Sequence, residues 1–184
     1  KGRINTSAPV ISLKGKNHMN LLFLGDVVGE IGSEFVGEKL GGLKKFYNAE
    51  IVIVNGENSA NGNGITPHSA KYLFSHGADI ITTGNHCYRR REIYETMDRE
   101  ERLLRPANFP EGNPGHGVCL YDMGKCTVAV INLMGTVYME ALDNPFSTVD
   151  KILGEIDTPH IFVDFHAEAT GEKTAMGFYL AGKV

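Results

Sequence analysis

Apolar residues come along this chain in two alternating rhythms. "NLLFLGD" (Asn20 to Asp26), "IVIVNGEN" (Ile51 to Asn58), Asp79 to Thr83 and "HIFVDFHAEA" (His160 to Ala169) are apolar runs that stop abruptly in polar residues. Runs of this length suit strands buried on both faces, as in parallel sheets. Between the first two, Phe35, Val36, Leu40, Leu43 and Phe46 recur at helical spacing and predict a helix over Ser33 to Tyr47. Thr66 followed by Pro67, with Gly77 further on, supplies start and stop signals for a second helix. Shorter helices are predicted over Glu92 to Met97, Ser147 to Ile156 and Glu172 to Leu180. "GVCLYDMGKCTVAVIN" (Gly117 to Asn132) predicts a hairpin turning at Met123-Gly124. Strand and helix alternating in this way predict an α/β layered domain with a largely parallel sheet.

Both ends stand outside this rhythm. Residues 1–18 lack periodicity and the apolar stretch of a signal peptide, so they are read as a tag or disordered leader and 19–184 as the domain. At the other end "FYLAGKV" stops without a turn, and the domain is expected to be incomplete there. Composition narrows the class further. A chain of 184 residues, 42% apolar and 22% charged, fits one globular domain. A net charge of −4 argues against binding duplex nucleic acid, which needs a basic face. No apolar run is long enough to span a bilayer, so no membrane role is expected. Cys87, Cys119 and Cys126 are odd in number and not spaced as ligand pairs, which suits reduced thiols of a cytoplasmic protein.

The chemistry lies where the strands stop. Asp26 follows the first, Glu57 and Asn58 the second, Asn85 and His86 the third, and His166 a later one. In α/β sheets, ligands bind outside the carboxyl ends of the strands, so residues far apart in sequence converge there. Two carboxylates, two amides and one or two imidazoles form a mixed oxygen and nitrogen set suited to manganese, iron or zinc. A carboxylate can bridge two ions about 3.5–4 Å apart, the arrangement used in two-metal hydrolysis of phosphate esters. In "TTGNH", Asn85 then reads as a neutral ligand and His86 as a proton donor facing the substrate. Each residue alone has a plainer reading, as a helix cap, a turn or a hydrogen-bonded structural histidine. Recurrence at four strand ends favours the joint one.

"FLGDVVG", "NGENSANGNGIT", "TTGNH", "RPANFP", "AVINLMG" and "FVDFHAEAT" resemble, in order, the corresponding blocks of the YmdB family of metallophosphoesterases, bacterial phosphodiesterases of cyclic nucleotides. The resemblance implies a metallophosphoesterase-type layered α/β sandwich holding two metal ions, iron or manganese, with zinc as the alternative. By motif, Asp26 would bind the first metal, Glu57 would bridge both, and Asn58 would complete the first set. Asn85 and His166 would bind the second metal, and His86 matches the family's catalytic histidine. The family pattern continues past Val184 into a "GTHTH"-like segment that supplies two more histidines, so this chain is expected to lack the C-terminal part of the fold.

The expected function is hydrolysis of cyclic nucleotides or related phosphodiesters by a metal-activated hydroxide, with His86 protonating the leaving oxygen. Arg89 and Arg105 are candidate phosphate contacts, and Asp164 and Glu168 are candidates for orienting the ligand imidazoles. A homo-oligomer is expected, from the resemblance and from the unpaired sheet edge that a shortened fold leaves. The alternative is a metal-poor phosphoesterase scaffold that acts as a binding module. Dinucleotide binding fits poorly, because "GDVVGEIG" spaces its glycines G-x-x-x-G-x-x-G. A serine or cysteine nucleophile has one candidate, Cys87, and no G-x-S-x-G elbow.

Overall fold

The structure is a computed structural model and describes residues 11–12 and 19–184. Apart from Ile11 and Ser12, the leader expected over 1–18 lies outside the described residues. In chain order the elements are β1 (Ile11–Ser12), β2 (Asn20–Leu24), α1 (Gly29–Phe46), β3 (Ile51–Asn55), α2 (Pro67–Ser75) and β4 (Ile80–Thr82). A 3₁₀ turn at Arg91–Ile93 leads into α3 (Tyr94–Arg99), followed by β5 (Val118–Asp122), β6 (Thr127–Met134), α4 (Pro145–Glu155), β7 (Ile161–His166) and α5 (Thr170–Leu180).

The strands divide between two sheets. One has the order β1-β2-β3-β4, with β2, β3 and β4 parallel and β1 antiparallel to β2; the other has the order β5-β6-β7, with β5 antiparallel and β7 parallel to β6. Side-chain alternation makes four layers of them. In β3, Val52 and Val54 pack with Val36 and Leu40 of α1 and Leu73 of α2. Ile51 and Ile53 point the other way, against Val128 and Val130 of β6. Ile131 and Leu133 of β6 in turn pack on Val149 of α4 and Met176 and Leu180 of α5. The order is therefore helices, sheet, sheet, helices, and both central strands are apolar on both faces. That double burial produced the continuous apolar runs seen in the sequence.

A polar seam joins the sheets at the end where the parallel strands finish. Asn55 Nδ2 and Thr82 Oγ1 donate to Asp164 Oδ2 across the gap (3.1 and 2.5 Å), and Thr83 N donates to Asn132 Oδ1 (2.9 Å). Burial pushes the Asp164 carboxyl above the usual carboxylate range, against the opposing pull of its hydrogen bonds from Thr82 and Asn55. Asp164, expected to orient an imidazole, instead links the two sheets.

Four helix starts differ from the sequence reading, α3 and α5 by two residues each, at Tyr94 and Thr170. Helix α1 begins at Gly29, ahead of Ser33, because its first turn exposes Ile31 (84%) and so lies outside the buried stripe. Helix α4 begins at Pro145 with Asn144 as its cap, accepting from Phe146 N at 2.9 Å. The hairpin turns at Met123-Gly124 as expected, with Gly124 at φ 77°. Among the described residues no helix is long and apolar enough to cross a membrane.

Candidate metal centre

Asp26, Glu57, Asn58, Asn85 and His86 sit on loops that leave strands at the seam end, and His166 ends a strand there. Gly29 (φ 67°) donates its N–H to Asn58 O at 2.8 Å, and Gly62 N does so at 3.1 Å, which ties the loop of Asp26 to that of Glu57 and Asn58. His86 N donates to Glu57 Oε2 (3.2 Å), fastening the third loop to the second. His166 arrives from the opposite sheet, at the end of β7, and its Nε2 lies 2.9 Å from Asn85 Oδ1 and 3.5 Å from Glu57 Oε1. Glu57 is the hub and is 1% exposed.

The backbone makes room for this closeness at Gly84. A methyl group there would collide with Glu57 Oε2 and the His166 ring, so the "TTGNH" corner brings main chain to where any other residue would put a side chain.

The arrangement is short of positive charge. Asn58 Nδ2 lies 3.1 and 3.0 Å from the two Asp26 carboxylate oxygens and 3.0 Å from Glu57 Oε1. An amide nitrogen carries two hydrogens, so three anionic oxygens crowd a group that can satisfy two. A half-turn of that amide exchanges its ends, so an amide oxygen can equally face a cation there. Among the described residues, the ion-pair partners of buried Glu57 are two imidazoles, His86 at 3.7 Å and His166 at 3.5 Å. A buried carboxylate without a fixed cation is costly unless an ion completes it. No three His, Cys, Asp or Glu side chains form a metal-holding group among the described residues. Counting the amides yields two sets of three: Asp26, Glu57 and Asn58, then Glu57, Asn85 and His166. These hard oxygen and imidazole donors fit divalent transition metals.

His86 sits beside both sets. Its Nδ1 lies 2.6 Å from Asn58 Oδ1, the geometry of an N–H donating to an amide oxygen, which leaves Nε2 free for proton exchange. Cys87 next to it is fully buried, and burial together with the Glu57 charge pushes its thiol up to about 12. It is therefore no nucleophile.

The two arginines part company. Arg89 lines a cavity of about 400 Å³ together with Asn85, His166 and Glu168. Arg105 lines a different one, beside α4, and donates from Nη1 to Pro106 O (2.9 Å) to brace its own loop. Of the arginines that follow Arg89, Arg90 donates to Asn63 O (3.0 Å), and Arg91 opens the 3₁₀ turn. Two features escape a sequence reading. The seam of Asn55, Thr82, Thr83 and Asn132 looks like strand residues until the second sheet is in place. Tyr138, at the cavity rim, lies in a loop with no periodic pattern.

The YmdB-like protein family matches residues 22–184. The chain belongs to that family. It is 46% identical over 167 residues to the 2′,3′-cyclic-nucleotide 2′-phosphodiesterase of Bacillus subtilis, an alignment covering 90% of this chain and 63% of that protein. The crystal structure of a novel phosphatase from Mycoplasma pneumoniae superposes with a TM-score of 0.86 at 32% identity, over 91% of this chain and 62% of that one. A Staphylococcus aureus protein named as a 5′-nucleotidase shares the fold alone, with a TM-score of 0.63 at 18% identity over 88% of this chain and 42% of that one. The fold is thus a mixed α/β sandwich of the metallophosphoesterase type, as the motifs implied. The YmdB-like chain spans under two thirds of the length of the relatives it matches. Family and fold imply divalent metal ions, in keeping with the charge deficit around Glu57.

Proposed function

We propose that this chain carries the active site of a metal-dependent phosphodiesterase acting on nucleotide phosphodiesters, cyclic nucleotides among them. The observation that carries the reading is the convergence of Asp26, Glu57, Asn58, Asn85 and His166, from two sheets, around one buried carboxylate. In this reading Asp26 and Asn58 hold one ion, Asn85 and His166 hold the other, and Glu57 is shared. When bound, the two ions supply Lewis acidity toward the phosphoryl oxygens and activate a water as nucleophile at neutral pH.

The protein's own part is positioning and proton transfer. With the Asn58 amide turned so that its oxygen faces the ion, its Nδ2 donates to His86 Nδ1, and His86 hands the proton carried on Nε2 to the departing sugar oxygen. Arg89, on the cavity wall, contacts a non-bridging phosphate oxygen. Arg105, on the far side of its own loop, has no part in this reading. Iron or manganese suits the donors, with zinc as the alternative. The reading extends to a cytoplasmic protein, because its three cysteines are free thiols. It extends also to self-association, because β7 pairs only with β6 among the described residues.

The test is elemental analysis of the purified chain, with hydrolysis of bis-p-nitrophenyl phosphate measured on the same sample with and without added manganese. About two metal equivalents and turnover are expected. His86→Ala should lower turnover by roughly 10²–10⁴-fold with metal content retained. Full turnover in that variant would remove His86 from its role. A chain that takes up no metal and turns over nothing is instead a scaffold that binds.

A further inference from the structure

Above the paired donors stands a loop built to hold one side chain out. After β6 ends at Met134, Gly135 N donates to His166 O (2.9 Å), fixing the loop to a residue of the metal centre. A Cβ on Gly135 would strike the Glu172 carboxylate and approach Ala167 Cβ to 2.7 Å. Glu172 is buried, and its carboxylate accepts from Thr136 N (2.9 Å), Thr136 Oγ1 (3.4 Å) and Val137 N (3.3 Å). On the far side, Met139 N donates to Thr136 O (3.3 Å), and Met139 and Leu142 pack on the core. Between these anchors Tyr138 takes φ 64°, a left-handed conformation unusual for a bulky residue, and is 88% exposed. Strain of this kind persists where the surroundings over-determine it, commonly beside ligands.

Tyr138 lines the same cavity as Asn85 and His166. So does Arg89, the one arginine or lysine lining it among the described residues, whereas Glu140 and Glu168 are acidic. Two carboxylates do not suit a second phosphate. They suit the neutral part of a substrate, with ribose hydroxyls or an exocyclic amine to donate. An exposed aromatic face beside them is a stacking platform for a base.

We infer that Tyr138 stacks on the nucleobase of the phosphodiester substrate and thereby sets a preference for nucleotides over base-free diesters. The inference rests on the phosphodiesterase reading above and names what the substrate carries beyond its phosphate. Tyr138 does not touch the reacting atoms; it holds the base while His86 and the metal centre act on phosphorus.

The test compares KM for 2′,3′-cyclic AMP and for ribose 2,3-cyclic phosphate, which lacks the base, in the wild-type chain, Tyr138→Ala and Tyr138→Phe. The ratio of the two KM values should rise about tenfold in Tyr138→Ala and return to the wild-type ratio in Tyr138→Phe. A ratio that stays the same in Tyr138→Ala overturns the inference. If the wild-type chain hydrolyses neither compound, the phosphodiesterase reading fails on its own. Stacking is then decided by fluorescence anisotropy of etheno-AMP binding. About tenfold weaker binding in Tyr138→Ala, restored in Tyr138→Phe, upholds it. Equal binding in all three chains, or none in the wild type, overturns it.

Discussion

Cys87 and His86 are neighbours in sequence and opposites in environment. His86 is partly open to the cleft, while the Cys87 side chain turns into the core among apolar residues. Burial pushes the thiols of Cys87 and Cys119 up to about 12 and about 11, which suppresses the reactive thiolate. Brief treatment of the native chain with iodoacetamide at pH 8 should therefore alkylate half-buried Cys126 first, and the other two only after unfolding; peptide mass spectrometry reads this directly. The candidate donors stand out in the sequence because each follows directly on an apolar run, where a polar group needs a reason, and the structure brings them together. The placement of Arg105 was not legible, because an arginine after a strand says nothing about which side of its loop it takes. Asp164 looked like a partner for His166 because they are two residues apart. Its actual partners, Asn55 and Thr82, come from the other sheet.

Among the elements, α2 shows the closest agreement between local signal and structure. Thr66 Oγ1 accepts from Ser69 N (3.1 Å) and Ser69 Oγ accepts from Thr66 N (3.0 Å), a reciprocal cap, with Pro67 at the first helical position. Thr66→Ala should cost about 1 kcal/mol, measured as a shift of the urea midpoint at unchanged m-value. The helices whose starts were displaced lack such a signal at the expected place. Helix α1 has no side-chain cap, and its exposed first turn carries no stripe to read. The division into two sheets was illegible in the apolar pattern, although the motif resemblance implied a sandwich. A strand buried between helices and a second sheet has the same all-apolar run as one buried between two helix layers. Only the contacts of Ile51 and Ile53 with Val128 and Val130 distinguish them.

For the molecule as a whole, the proposed donor set straddles the boundary between the two sheets. Four of the five proposed ligands belong to the first sheet and His166 to the second, so an ion between Asn85 and His166 would hold both sheets at once. Binding to the folded state alone stabilises it by mass action, about 2.7 kcal/mol at a hundredfold excess over Kd. Saturating manganese should raise the calorimetric midpoint by roughly 5–10 °C. The gain should be smaller in His166→Ala, which removes the link between sheets. An equal gain in both would mean that the ion binds on the first sheet only. The same boundary explains how the candidate donors could be grouped from the sequence without their geometry. Strand ends point to a shared crevice whichever sheet they come from, provided the sheets finish at the same end.

The order of those donors along the chain has a consequence during synthesis. Asp26, Glu57 and Asn58 have all left the ribosome long before His166 is translated, and Val52 and Val54 can already pack on α1 by then. On the proposed roles, the growing chain can capture its first ion while the second sheet is still unmade, and the second ion must wait for β7. Metal loading would then be a sequential event paced by translation.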